Sequence, residues 1–492
     1  MMPSAPPQSS LAVFTKKAGL LGGLIALVAI LALPRPEGLS AEGWAVAAVG
    51  LLMAIWWMSE ALPLAATALV PLVLFPLLGI SSFDSAAQSY ANPLIFLFLG
   101  GFILARGLER WQLHRRLALK VLRRVGQSPP AIIAGMMGIT AFLSMWVSNT
   151  ATSMVMLPIA QSIVTTLCSE NSDRPDDPRI AFAPALMLAI AYGATIGGMG
   201  TLIGTPPNAL FAGFLLETYD IRIGFAEWML VGIPAVLVLL PLTWFLLTKV
   251  TFKVPAAFPD SVLTSGHDGT QDLGPMSRQE YTVAGVMVVV ALLWLTRPLI
   301  ADLVPGLPLS DAGIAMIGAL ALFVLPDRWS SGTFLLEWDD IKTLRWDVLI
   351  LFGGGLSLAG AIASTGLADW IGAGMSALQT LPANVLILAV MVVIVYLGEL
   401  ASNTAMAAVF LPVAGAAAVG MGADPLTLAL PVVLAASLGF MLPVATPPNA
   451  IVYGSGAVSS QQMLRAGALL DVVSIAVVFV IAATIGRWVF GL

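Results

Sequence analysis

The sequence predicts an all-α polytopic membrane protein folded as two halves of opposite orientation. Three observations predict it. Only 10% of the 492 residues are charged and 59% are hydrophobic, with a mean hydropathy of +0.95, whereas a soluble domain carries roughly 25% charged residues. Two kinds of motif interrupt long apolar stretches, and each kind occurs twice in the same order. Basic residues crowd one linker and are absent from its twin.

The elements follow in chain order. Lys16 and Lys17 precede the apolar run 18–34, and Pro34, Arg35, Pro36 and Glu37 stand where a cleavage site would need small residues. That pattern predicts an uncleaved first helix. Further uninterrupted runs lie at 43–59, 62–79, 91–107, 226–248, 281–300, 311–326, 346–363 and 466–489, near the length of about 20 residues that crosses a bilayer. Four stretches, 129–168, 180–216, 383–420 and 427–458, are apolar at both ends and polar or Pro-Pro in the middle. The first and third read as re-entrant helical hairpins, the second and fourth as broken helices. Counting the broken helices as spans, the expectation is 11 transmembrane segments and two hairpins.

The two halves repeat. Phe98-Leu99-Gly100-Gly101 corresponds to Leu351-Phe352-Gly353-Gly354, Ser148-Asn149-Thr150-Ala151 to Ser402-Asn403-Thr404-Ala405, and Thr205-Pro206-Pro207-Asn208-Ala209 to Thr446-Pro447-Pro448-Asn449-Ala450, at offsets of 253, 254 and 241. The polar insertion Ser169 to Arg179 accounts for most of the shorter last offset. Segment 106–124 holds seven basic residues and its counterpart 364–382 none. Lys and Arg concentrate in cytoplasmic loops, so equivalent linkers face opposite sides and the repeat is inverted. The N-terminus and the loop 249–278 are then cytoplasmic, and segment 106–124 is a helix lying in the membrane interface.

Composition also excludes chemistry. Net charge is −5, from 22 Lys and Arg against 27 Asp and Glu, and no basic block is interleaved with the aromatics of a nucleic-acid groove. One cysteine, Cys168, and two histidines, His114 and His267, supply neither a zinc site nor a haem pocket nor a Cys/His pair. The apolar segments offer no acid–base dyad for an intramembrane enzyme.

What remains is the motifs. A polar triplet in lipid must be satisfied, and at the tip of a hairpin the free N–H groups of the second half-helix favour an anion. Ser and Asn oxygens with freed carbonyls suit a small hard cation. Two prolines in succession unwind a helix, freeing the carbonyls of Gly204 and Ala445 beside Thr205 and Thr446. No Lys or Arg occurs at 126–173 or 346–464, so an anion there depends on helix ends and co-bound cations. Glu399, three residues before Ser402, is a ligand or proton carrier on one reading and a structural acceptor at the hairpin base on the other. Asp347 and Glu60 lie at span ends and read as interfacial.

With both triplets and both Thr-Pro-Pro-Asn motifs in this order, the chain from about residue 18 onward resembles the divalent anion:sodium symporter family of dicarboxylate, tricarboxylate and sulfate carriers. The resemblance implies an elevator-type transporter in the cytoplasmic membrane, a homodimer, with one sodium site per half around one substrate. Carried over, the first sodium site comprises Ser144, Ser148, Asn149 and the Gly204 carbonyl; the second comprises Ser402, Asn403 and the Ala445 carbonyl. The substrate would meet Asn149, Thr150, Asn403 and Thr404, with Thr205, Thr446 and Pro447 lining the pocket. Scaffold parts would be 1–128 and 281–382, transport parts 129–248 and 383–492, and 249–280 the linker. Gly398 stands where the first half has Ser144, a departure that removes a side-chain ligand. The implied activity is sodium-coupled symport of C4-dicarboxylates (succinate, malate, fumarate). A sodium-independent exchanger, a citrate or sulfate carrier and an anion channel are the alternatives.

Overall fold

A backbone in lipid must satisfy its own N–H and C=O groups, so apolar runs of this length fold as helices. The computed structural model describes residues 10–122, 124, 126, 128–168, 178–257, 274–304, 306–328, 332–374 and 382–492. Among the described residues, nine helices are long and apolar enough to cross a membrane. The polar insertion after Cys168, His267 and most of the loop 249–278 lie outside them.

The first half runs through helices Ser10–Ala32, Ala41–Ser59, Pro93–Arg110, Leu113–Leu122, Pro129–Ser144, Asn149–Cys168, Pro178–Gly198, Pro206–Tyr219 and Phe225–Phe245. The second runs through Arg278–Leu303, Asp311–Val324, Trp346–Ser364, Leu367–Gly374, Ala383–Gly398, Asn403–Gly420, Leu426–Ala436, Pro447–Gly454 and Ser460–Ile481. Side chains of Ser40, Asn92, Ser277, Ser310 and Ser459 accept backbone N–H bonds at helix starts, each worth about 1 kcal/mol. The run 62–79 departs from expectation. It splits into Leu64–Thr67 and Val70–Leu77, because Pro71 has no N–H to give to the preceding turn. A short antiparallel pair, Pro326–Arg328 with Thr333–Phe334, joins two helices of the second half.

Each interrupted stretch breaks at its motif. The helices 129–144 and 149–168 part at 145–148, and 383–398 and 403–420 part at 399–402. Thr205 and Thr446 are extended N-cap residues with Pro at the first two helical positions, where a missing N–H costs nothing. The core lies around helix Pro178–Gly198, whose residues from Ala185 to Ala191 are almost wholly buried. Gly193 and Gly197 set that helix directly on helix Pro129–Ser144; a Cβ at either would strike the Met137 or Ala141 carbonyl. Small residues at such crossings let backbones pack without a gap.

The basic segment does not form one helix: Arg106 and Arg110 end the long helix Pro93–Arg110, and Leu113–Leu122 is a separate helix with Leu113, Ala118 and Leu119 turned inward. The segment's charges are not all solvated. Arg116 pairs with Glu280 at 2.6 Å, and Arg110 pairs with Asp340. Asp347 pairs with Arg345 in the first turn of its helix, and Glu60 forms a left-handed C-cap, as expected of residues at span ends.

Candidate functional site

In the first half the triplet sits where helix Asn149–Cys168 begins. Ser148 accepts the Ala151 N–H on Oγ at 3.3 Å and the Thr152 N–H on its carbonyl at 2.9 Å. Ser144 Oγ donates to the Ala194 carbonyl at 2.8 Å. One end of the Asn149 amide stands 2.6 Å from Ser144 Oγ and 3.2 Å from the carbonyls of both Ala194 and Gly204. With its nitrogen turned that way the amide donates to all three. With its oxygen turned that way, the amide adds a fourth oxygen to those of Ser144, Ala194 and Gly204, oxygens of the kind that suit a small hard cation. Ser144, Asn149 and Gly204, expected as one group, are therefore brought together. Ser148 is adjacent, engaged at the helix start.

Two neighbours escaped the sequence reading. The Ala194 carbonyl belongs to a helix 45 residues further on and carries no local signal. Asn208, the fourth residue of its motif, donates from Nδ2 to the carbonyls of Thr201 at 2.8 Å and Gly198 at 3.2 Å, lacing the unwound segment together. Asn449 does the same in the second half, to Leu442 at 3.0 Å and Gly439 at 3.3 Å. Both are fully buried. Their signal was present: an asparagine in the same place in both copies of the motif.

In the second half Asn403 Oδ1 is buried without a hydrogen-bond partner. It faces Gly439, which also adjoins Ala445 and Thr446, so Asn403 and the segment carrying the Ala445 carbonyl come together as expected. Ser402 is the N-cap of helix Asn403–Gly420 and makes no side-chain cap bond. Where Ser144 donates in the first half, Gly398 offers only a carbonyl, and that accepts the Ala401 N–H at 3.3 Å. The two halves thus differ by one hydroxyl. Thr446 Oγ1 accepts the Asn449 N–H at 3.3 Å, while Thr205 makes no such bond. Thr404 is buried, Thr150 half-buried and Pro447 exposed.

Glu399 takes the structural alternative. It is 2% exposed, and its two oxygens accept the N–H groups of Phe440, Met441 and Leu442 at 2.7, 3.0 and 2.8 Å. The carboxylate is occupied in holding the second unwound segment.

The halves interlock. Helix Asn149–Cys168 packs on Pro447–Gly454, and helix Pro206–Tyr219 packs on Asn403–Gly420, so each triplet helix meets the other half's Pro-Pro helix. Two unwound segments laced by asparagines and crossed half-helices, in a chain with nine helices long and apolar enough to cross a membrane among its described residues, define a membrane transport protein. The family described as sodium:sulfate symporter transmembrane region matches residues 15–492, and the chain belongs to it. A sodium-dependent dicarboxylate transporter of Staphylococcus saprophyticus is 39% identical over 94% of this chain and 90% of its own length. One of Staphylococcus aureus is 39% identical over 96% and 91%. A solved structure, the YdaH transporter of Alcanivorax borkumensis, shares the fold at a TM-score of 0.57 and 16% identity, covering 98% of both chains.

Proposed function

We propose that the chain is a sodium-coupled symporter that carries C4-dicarboxylates such as succinate, malate and fumarate across the cell membrane. The observation that carries this is the Asn149 amide set among the oxygens of Ser144, Ala194 and Gly204, in a chain whose relatives are named sodium-dependent dicarboxylate transporters. A dianion at this depth meets no Lys or Arg from 126–173 or 346–464. Its two charges are balanced by sodium ions and by the helix ends at Asn149 and Asn403. Coupling follows: the anion binds well only after the cations have arrived.

The finer architecture belongs to the same reading. The stretches 129–168 and 383–420 act as re-entrant hairpins among 11 spans, and they move with the broken helices as an elevator against a scaffold of 1–128 and 281–382 in a homodimer with cytoplasmic N-termini. Asn149, Thr150, Asn403 and Thr404 hold the carboxylates, while Thr205, Thr446 and Pro447 line the pocket. Ser402, Asn403 and the Ala445 carbonyl hold the second sodium. The crossed packing of each triplet helix on the opposite Pro-Pro helix supports one shared substrate site.

The test is uptake of labelled succinate into proteoliposomes with and without an inward sodium gradient, competed by malate, fumarate, citrate and sulfate. Sodium-dependent, saturable uptake blocked by C4 acids is expected. Accumulation independent of sodium would overturn the coupling and favour an exchanger, which Gly398 in place of a hydroxyl residue makes the closest rival. Single-channel currents would overturn the carrier reading.

A further inference from the structure

The second unwound segment is held by a carboxylate and the first is not. Beside Glu399, within hydrogen-bonding reach, stands Asp471 of helix Ser460–Ile481. Asp471 is completely buried, and neither of its oxygens makes a full hydrogen bond among the described residues. Two donors near it are engaged elsewhere. The Phe440 N–H that reaches toward it is given to Glu399 at 2.7 Å, and the Tyr192 hydroxyl to the Phe440 carbonyl at 2.9 Å. Ser474, one turn further on the same helix, has a buried hydroxyl that is itself without a partner. Arg465, six residues earlier, is exposed.

Glu399 accepts three N–H bonds, the donor set of an ionised carboxylate. An ionised Asp471 would then place a second negative charge against it with no full hydrogen bond and no paired cation among the described residues, and an unpaired buried charge is far more costly than a buried neutral acid. A hydrogen bond between two carboxyl groups requires one proton. The inventory of donors assigns it to Asp471.

We propose that Asp471 and Glu399 share one proton, with Asp471 the neutral acid that donates to the Glu399 carboxylate, and that this pair positions the second unwound segment. The pair grips residues 440–442. Leu442 in turn accepts the Ala445 N–H at 3.2 Å and the Asn449 amide at 3.0 Å, so the grip reaches the segment that carries the Ala445 carbonyl. The architecture does not demand an acid pair. In the first half, the position matching Glu399 at the triplets' offset is Met145. Gly232 and Gly467 play matching parts against the Met199 and Phe440 carbonyls, and four residues after each come Val236 and Asp471. The first segment is closed by neutral donors instead, Trp228 Nε1 to Met199 O at 2.9 Å and Thr201 Oγ1 to Met145 O at 2.5 Å.

The direct test is infrared spectroscopy of the full-length protein in lipid. A carbonyl band of a protonated carboxylic acid is expected, shifted by carbon-13 labelling of aspartate and missing from Asp471→Asn. Absence of an aspartic-acid band in the wild type, or its survival in that variant, would overturn the proposal. The labelling arm needs no variant to fold. The positioning role rests on the symport reading and is read separately, from the sodium concentration giving half-maximal uptake. Asp471→Asn keeps an N–H donor for Glu399 and is expected within about twofold of wild type. Asp471→Leu removes the donor and is expected to need roughly tenfold more sodium, the equivalent of one lost hydrogen bond to a charged group. If the asparagine variant fails as badly as the leucine variant, Asp471 acts as a charge and the shared proton is refuted. Failure of the symport reading would leave the infrared result untouched.

Discussion

Gly198 is the position at which the first oxygen cage can be disturbed without disturbing the fold. A Cβ there would stand 2.6 Å from Asn149 Oδ1, 3.0 Å from Nδ2 and 3.2 Å from Cγ. Contacts under 3.0 Å are essentially never tolerated, so the amide must retreat by at least 0.4 Å. The side chain gives way rather than the backbone, because the Gly198 carbonyl is held by Asn208 and the glycine closes a well-packed helix. The amide then loses its place 2.6 Å from Ser144 Oγ and 3.2 Å from Ala194 and Gly204. One ligand to a charged species is worth about 1.5–3 kcal/mol, which at 1.4 kcal/mol per tenfold raises the half-saturating sodium concentration roughly 10- to 150-fold. The assay is sodium-dependent succinate uptake in proteoliposomes at saturating succinate. Gly138→Ala is the control, since a Cβ on the preceding helix meets nothing within 4 Å. Wild-type sodium dependence in Gly198→Ala would refute the placement of Asn149 in the cation site.

Other outcomes follow from the same geometry. Asn208→Ala or Asn449→Ala removes a donor from two carbonyls of its unwound segment, one of which keeps a backbone N–H, and should cost about 1–3 kcal/mol, seen as a lower melting temperature in detergent; an unchanged melting temperature would count against the lacing. Replacing Arg116 by Ala leaves Glu280, itself only 10% exposed, without its partner, and should destabilise by about 1–3 kcal/mol, with Arg116→Lys intermediate because lysine lacks the guanidinium fork. Burial holds the imidazole of His114 below its ordinary range, against the smaller opposing effect of its bond to the Leu108 carbonyl at 3.1 Å. The unfolded chain therefore takes up this proton first as pH falls through about 6.5, and folding stability drops there. His114→Gln should flatten that acid limb in thermal melts followed by tryptophan fluorescence; a limb unaltered by the substitution would place its origin elsewhere.

Much of the fold was legible because the forces that make it are local. Apolar runs long enough to span lipid must be helices, and the breaks fell at the two triplets and the two Pro-Pro motifs because proline and a helix N-terminus act on their immediate neighbours. The split of 62–79 does not show in hydropathy, and its local mark is Pro71. Of the candidate site, Ser144, Asn149 and Gly204 were legible as a group through the family resemblance that the repeated motifs carry. The Ala194 carbonyl was not, since any residue type presents a carbonyl. Glu399 was visible as an oddity in an apolar stretch, yet which of its roles it plays rests on three N–H groups 41 to 43 residues away.

The sequence by itself determined that this chain lives in a bilayer, that it is built twice, and where each half is interrupted, because composition, repetition and proline chemistry are properties of the chain alone. Only the tertiary structure decided which oxygens surround Asn149, that Asn208 and Asn449 lace the unwound segments, that each triplet helix meets the other half's Pro-Pro helix, and that Asp471 faces Glu399. Those arrangements depend on where distant backbones cross. Glycines such as Gly197, Gly232 and Gly467 permit the crossings without naming the partner.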